Sequence, residues 1–265
     1  MEMSTQSFSK VVNLFHQISG IRLVDSKRQL VMGRLQKLAA EHGISDLNQY
    51  VDHLATRAEP SELTRVVDRL TTNETYFFRE PDHFQFMADL LVKRKGIQPY
   101  RVWSAASSSG EEAYSIAMLL ADHLGERGNW SILGTDLSTA MVASAQRALY
   151  PVERGAHIPQ DYLRRYCMKG TGEYDGTFMV NRELRRKVTF EAANLTLPLP
   201  NVGMFDIIFL RNVLIYFEPP AKINIVRRVS AQLKPGGYLF TGHSESLSQY
   251  DTGLHSLRPA IYVGT

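Results

Sequence analysis

Residues 205–210 read FDIIFL, five apolar side chains with one aspartate among them. A strand with that pattern has to be covered on both faces, and covering layers of helix on both sides imply an α/β architecture with a parallel sheet. The chain around it keeps the rhythm such a sheet requires. Strand patterns at Tyr100–Ala105, Trp130–Thr135, Val188–Glu191, Tyr238–Thr241 and Ala260–Val263 alternate with helical patterns at Glu112–Leu124, Thr139–Leu149 and Ala221–Leu233. The last helix is expected to stop at the Lys-Pro-Gly-Gly turn, 234–237. The reading is a doubly wound sheet. Residues 153–187 break the alternation. Gly170-Thr171-Gly172, then Asp175-Gly176 directly before the strand-like TFMV at 177–180, signal a hairpin, so a small β-subdomain inserted at 153–187 is expected.

Upstream of residue 70 the period changes to that of helices. Phe8, Val11, Val12 and Phe15 recur at helical spacing, as do Leu30, Val31, Leu35 and Leu38, then Leu47, Tyr50, Val51 and Leu54, then Leu63, Val66, Val67 and Leu70. Ser26 and Gln29 have capping-box spacing, and Gly43 falls where the second helix should end. A helical bundle over 1–70, a linker over 71–85 and a sheet domain over 86–265 are therefore expected. A 44% apolar fraction suffices for a core of this size, and 22% charged residues argue against disorder. The longest apolar stretch, Ala113–Ala121, is half of a membrane span, and the first residues lack a signal-peptide layout. One cysteine, Cys167, fits a reducing compartment, so the expected location is cytoplasmic. A net charge of +3 is too mild to call for nucleic acid, and the eight histidines form no metal-binding spacing, so no metal is expected.

In doubly wound sheets ligands lie beyond the carboxyl ends of the strands. After the first strand come Ala105-Ala106-Ser107-Ser108-Ser109-Gly110-Glu111-Glu112, small residues that let a ligand approach the backbone. The run is not GxGxxG, and two glutamates at a helix start oppose a pyrophosphate. A cationic cofactor such as S-adenosylmethionine suits them better, unless both merely favour the helix dipole. Asp136 ends the second strand, either as an acceptor for ribose hydroxyls or as an N-cap. Asn194 and Leu195 follow the third strand, either against an adenine ring or as a turn. Arg211 to Phe217 follow the FDIIFL strand, and polar groups there need partners. Tyr216 either approaches the transferred group or packs in the core. Residues 71–80, TTNETYFFRE, are a linker with docked aromatics or part of the site.

Four segments in order, TTNETYFFRE (71–80), WSAASSSGEEAYSIAM (103–118), RNVLIYF (211–217) and LFTGHSES (239–246), resemble the CheR family of chemotaxis receptor glutamate methyltransferases, and the resemblance runs from about residue 7 to the last strand. It implies an N-terminal helical domain and a class I S-adenosylmethionine-dependent methyltransferase domain carrying a three-stranded insertion. It also implies cofactor contacts at Asn73, Thr75, Arg79, Glu112, Asp136, Asn194, Leu195, Asn212 and Val213, with Arg79 and Tyr216 beside the methyl-transfer centre. Glu74, Tyr76 and Ala113 depart from the commonest family pattern, none at a contact position. The implied reaction turns receptor glutamates into methyl esters and yields S-adenosylhomocysteine. Another acceptor, or a cofactor-binding signalling module without turnover, are the rival readings. The implied partners are the cytoplasmic domains of chemotaxis receptors, steered by a basic face of Lys27, Arg34 and Lys37 on the second helix, with a receptor C-terminal pentapeptide as a further ligand of the inserted sheet.

Overall fold

The computed structural model describes residues 3–94, 98–199 and 202–264. Its helices and strands, in chain order, are α1 (Thr5–Ser19), α2 (Arg28–Glu41), α3 (Leu47–Thr56), α4 (Pro60–Leu70), α5 (Pro81–Lys93), β1 (Tyr100–Ser104), α6 (Glu111–Leu124), β2 (Trp130–Asp136), α7 (Thr139–Arg147), β3 (Leu149–Pro151), α8 (Gln160–Tyr166), β4 (Cys167–Lys169), β5 (Thr177–Val180), α9 (Arg182–Arg185), β6 (Val188–Ala192), β7 (Phe205–Leu210), α10 (Pro219–Ser230), β8 (Leu233–Thr241), β9 (His255–Arg258) and β10 (Ile261–Val263).

Seven strands form one sheet in the order β6-β2-β1-β7-β8-β10-β9. The pairs from β6 to β8 are parallel, and β10 lies antiparallel between β8 and β9. Strand order reverses between β1 and β7, which opens a crevice at their carboxyl ends. The alternation along FDIIFL has a direct structural meaning. Ile207 and Phe209 enter one core with α5 and α6, whereas Phe205, Ile208 and Leu210 enter another with α10. Asp206, the polar residue of the run, accepts from the Arg101 backbone N–H at 2.7 Å and from Lys234 Nζ at 2.7 Å. A third core lies inside the bundle of α1 to α4, as the helical spacing predicts.

Asp68 fastens the bundle to the sheet domain by accepting from Ser138 Oγ at 2.8 Å and Thr139 Oγ1 at 2.9 Å, at the start of α7. Asn194 Nδ2 donates to the Ile18 carbonyl at 2.9 Å, and a Cβ at Gly20 would meet Thr196 Cγ2 at 2.5 Å. The end of α1 therefore closes directly on the loop after β6, and only glycine permits that approach at φ +71°.

Several local expectations are corrected. The Ser26–Gln29 capping box does not form: Asp25–Lys27 is a 3₁₀ turn, and α2 begins after Lys27 without a side-chain cap. Gly43 does take φ +69° just beyond α2. The helix expected to reach Leu149 ends at Arg147, where Ala148 turns left-handed and feeds β3. The helix expected to reach Leu233 ends at Ser230, and Lys-Pro-Gly-Gly is an irregularity within β8, where Phe205 pairs with Leu233 but Ile207 pairs with Tyr238. Sequence reading missed α5, whose aromatic residues pack on β7, and the edge strand β9. The second sheet has three antiparallel strands, β3-β5-β4, and its first strand precedes residue 153. Phe209 is fully buried. Phe209→Ala should lower unfolding free energy by about 3–5 kcal/mol with an unchanged denaturant slope, measured by guanidinium titration.

Candidate functional site

Glu112 after β1, Asp136 after β2, Asn194 and Leu195 after β6, Asn212, Val213 and Tyr216 after β7, and Asn73, Thr75 and Arg79 of the 71–80 segment line one cavity of about 260 Å³ at the switch point; Glu111 does not, and lies 3.2 Å from Arg154 Nη1 instead. The bundle supplies its opposite wall through Ser19, Ile21 to Val24, Lys27 and Leu30.

At its floor a buried ion-pair network is centred on Arg211, the first residue beyond β7. Its side chain is 1% exposed and lies 3.1 Å from Glu112 Oε2 and 3.1 Å from Glu80 Oε2. The nitrogen that faces Glu80, Nη2, also donates to the Arg79 carbonyl. Glu112 Oε1 accepts from Ser104 Oγ at 2.7 Å. Burial pushes the Glu112 carboxyl above its ordinary range against the pull of Arg211 and Ser104. Burial also opposes ionisation of Glu80, but there Arg211, Asn212 and the His243 N–H outweigh it and leave the pKa below the usual value. The two acids share one cation.

Asp136 stands at the end of β2. Its Oδ2 accepts from the Ser108 N–H at 2.8 Å and its Oδ1 from the Ser138 N–H at 2.9 Å. The N-cap of α7 is Ser138, whose side chain accepts from the Met141 N–H, so the capping alternative for Asp136 is corrected. Burial pushes the Asp136 carboxyl up despite these donors. Each oxygen of a carboxylate can accept more than one bond, so hydroxyl donors in the cavity have acceptors to meet.

The 71–80 segment lies on β1's loop and is part of the cavity wall. The Asn73 carbonyl accepts from Ser108 Oγ at 3.1 Å, the Thr75 carbonyl from Arg154 Nη1 at 2.7 Å, and the Phe78 N–H donates to Ser115 Oγ at 2.9 Å. Phe77 is fully buried. Arg79 donates to the Glu74 carbonyl at 3.0 Å, and its guanidinium stands 5.6 Å from the centroid of the Tyr76 ring. Tyr216 is half-buried in a 3₁₀ turn after β7, which corrects the core-packing alternative. Burial raises its phenol pKa while the positive charge of Arg79 opposes that rise, so the two side chains share one electrostatic environment.

Asn212 takes φ +57° and sends Nδ2 to Glu80 Oε1 at 3.2 Å. Asn194 forms a turn, accepting from the Thr196 N–H at 2.9 Å, with its amide directed to α1; its side chain is engaged on both ends. Leu195 beside it is buried against the α10 core. The basic face expected on α2 is not continuous. Lys27 lines the cavity, whereas Arg34 and Lys37 border a neighbouring groove with Arg69 and Arg154, and Arg34 also donates to the carbonyls of Leu70 and Thr71 at 3.1 and 2.9 Å.

Sequence reasoning did not single out Arg211, Glu80 or Glu245 individually. Glu245 shapes the floor by accepting from the N–H groups of Asn212 at 2.6 Å, Gly242 at 2.8 Å and Ile215 at 3.2 Å. An arginine directly after an apolar strand was the available signal for the first. The other two are visible only once remote loops are folded together.

This sheet order with its antiparallel β10, and a cavity at the switch point rich in acids and small residues, define a class I S-adenosylmethionine-dependent methyltransferase. The chain belongs to the CheR methyltransferase family: the family's all-alpha domain matches residues 6–71 and its SAM binding domain residues 73–262. It is 40% identical over 253 residues to the chemotaxis protein methyltransferase of Escherichia coli (strain K12), covering 95% of this chain and 88% of that one. The chemotaxis protein methyltransferase of Salmonella typhimurium is 40% identical over 250 residues, covering 94% and 86%. That of Borreliella burgdorferi is 31% identical over 273 residues, covering 99% and 95%. Among the described residues no helix is long and apolar enough to cross a membrane.

Because the folded-state pKa of Glu80 is depressed, its stabilising effect is complete above the unfolded value of about 4.3 and is lost as pH falls through the lower folded value. Glu80→Gln should therefore cost about 1–3 kcal/mol near neutrality and converge with the parent protein in acid, as read by urea unfolding across pH.

Proposed function

We propose that the protein methylates glutamate side chains in the cytoplasmic domains of chemotaxis receptors, giving glutamate methyl esters and S-adenosylhomocysteine. Family membership carries the methyltransferase activity. The guanidinium of Arg79, which lines the same acid-floored cavity as Tyr216, is the observation that favours a carboxylate acceptor.

When bound, S-adenosylmethionine supplies a methyl group on a sulfonium, an already activated leaving group. The cavity's chemistry suits it: the acids that burial holds above their ordinary pKa, Glu112 and Asp136, gain from cationic or hydroxyl-bearing groups. In this reading Asp136 accepts the ribose hydroxyls. Glu112, Asn73 and Thr75 hold the amino-acid end, while Asn194, Leu195, Asn212 and Val213 flank the adenosine. Arg79 orients a carboxylate, the acceptor's or the cofactor's, and Tyr216 bounds the transfer point. A glutamate acceptor has an ordinary pKa of about 4.3 and is ionised at pH 7, so it needs no general base. The residues' task is alignment, which can be worth roughly 7–11 kcal/mol. Exclusion of water assists, because charge is neutralised in the transfer.

The groove bordered by Arg34, Lys37, Arg69 and Arg154 opens beside this cavity and would steer a glutamate-rich helix. The outer strands β3 and β4 leave edges to which a receptor C-terminal pentapeptide could add as a strand.

Incubation with labelled S-adenosylmethionine and receptor-containing membranes should place base-labile label on receptor protein. Arg79→Ala and Tyr216→Phe should lower that transfer at least tenfold; near-normal turnover in both would remove them from the chemistry. Cofactor binding without any label would favour the non-catalytic signalling module instead.

A further inference from the structure

The eight histidines are scattered in the sequence, yet folding brings two of them onto one buried acid outside the cavity lining. His42 closes α2, His53 lies in the last turn of α3, and Glu62 lies in the first turn of α4. His53 Nε2 is 2.8 Å from Glu62 Oε2, and His42 Nε2 is 3.2 Å from Glu62 Oε1. All the donor atoms lie within 4.8 Å of one another. The Glu62 side chain is 8% exposed, whereas the imidazoles are 32% and 29% exposed, so the cluster is closed on the protein side and open to water on the other.

Two observations go beyond this proximity. Glu62 Oε1 is buried and accepts no hydrogen bond, although His42 Nε2 stands next to it. The Tyr50 hydroxyl, fully buried between the helices, adjoins Glu62 but is not within close hydrogen-bonding geometry of any acceptor. Its ring lies 5.8 Å from that of His42 and 6.2 Å from that of His53. Buried polar atoms left in this state are costly. A cation satisfies imidazole lone pairs and carboxylate oxygens together, and ligating carboxylates ordinarily take a supporting hydrogen bond from a neighbour such as a tyrosine hydroxyl.

We propose that His42, His53 and Glu62 form a divalent transition-metal site, zinc by its donor set, with water as the fourth ligand. Zinc bonds of about 2.0–2.2 Å in a tetrahedron hold ligand atoms roughly 3.3–3.5 Å apart. The His53–Glu62 and His42–Glu62 separations of 2.8 and 3.2 Å would open by up to about 0.7 Å, while the remaining donor distance, at most 4.8 Å, would close toward the same edge. Two neutral imidazoles and one carboxylate leave the bound ion one positive charge, tolerable at a water-exposed edge. Because the three ligands come from the ends of three consecutive helices, the ion acts as a staple on the bundle. None of the three residues lines the cofactor cavity.

A second candidate, Glu80 with His83 and His243, is excluded by the Arg211 guanidinium 3.1 Å from Glu80, a fixed cation where an ion would sit. It serves as an internal control.

The full chain, free of any affinity tag and stripped with a chelator, is titrated with zinc by calorimetry and with cobalt(II) by visible absorption. One ion per chain is expected, with a tetrahedral cobalt spectrum and a rise in Tm on adding zinc. His42→Gln and His53→Gln should each weaken binding at least tenfold and abolish the cobalt band, while His243→Ala leaves both unchanged. His42 is largely at the surface, so its variant stays folded even if the His53 variant does not. No binding under a molar excess of zinc, or binding that survives both glutamine variants, overturns the assignment. Loss of binding in His243→Ala alone does so too.

Discussion

A guanidinium sealed beneath the cofactor cavity constrains most of what surrounds it. Arg211 is nearly inaccessible, flanked by the rings of Phe84 and Phe209 at 5.9 and 5.8 Å and by two carboxylates at 3.1 Å. Removing an ion of that kind from water costs several kcal/mol, offset only when its partners are held in good geometry. Glu112 is held by α6 and by Ser104 at the end of β1, Glu80 by the segment that enters α5, and the Arg79 carbonyl by the same segment. The ion therefore ties the first strand, the fourth parallel strand and the linker into one floor. The same contacts hold the linker's Arg79 in the cavity wall.

That floor is held by backbone conformations most residues avoid. Phe78, Glu80, Ser108 and Asn212 all have φ between +47° and +58°, and all lie on or beside the cavity. Left-handed residues other than glycine cost of order 1–3 kcal/mol each and persist only where surroundings over-determine them. Here the determinants are identifiable: Ser115 fixes Phe78, the Asp136 carboxylate fixes Ser108, and Glu245 fixes Asn212. Residues of this kind cluster at binding sites, where the surroundings that hold them also pre-organise the crevice.

The helical bundle is a structural part of this site. Its α1–α2 connection forms the opposite wall, and it is clamped by Asp68 on α7 and by the Asn194 turn on α1. Methyl transfer from a sulfonium asks mainly for alignment and exclusion of water, and a wall built from a second domain contributes to both.

The sequence alone determined the layer architecture, the position of the central strand, the small sheet near residues 177–180 and the group of residues that converge on the crevice. It did so because hydrophobic period and strand-end position are local properties, read along the chain. Helix ends were less legible: Ala148 and Lys-Pro-Gly-Gly are governed by the strands they join, β3 and β8. Asp136 as cap or acceptor, Tyr216 as core or wall, and Asn194 as turn were ambiguous in one dimension, since each type serves both roles. Only the tertiary structure showed that Ser138 caps α7 in place of Asp136, that Tyr216 is half-buried and that Asn194 forms a turn, and only it assembled the Arg211–Glu80–Glu112 network and the His42–His53–Glu62 cluster. Those depend on side chains tens of residues apart meeting where water is scarce, and the cost of leaving a buried charge or polar atom unpaired is a property of the folded environment that no local pattern encodes.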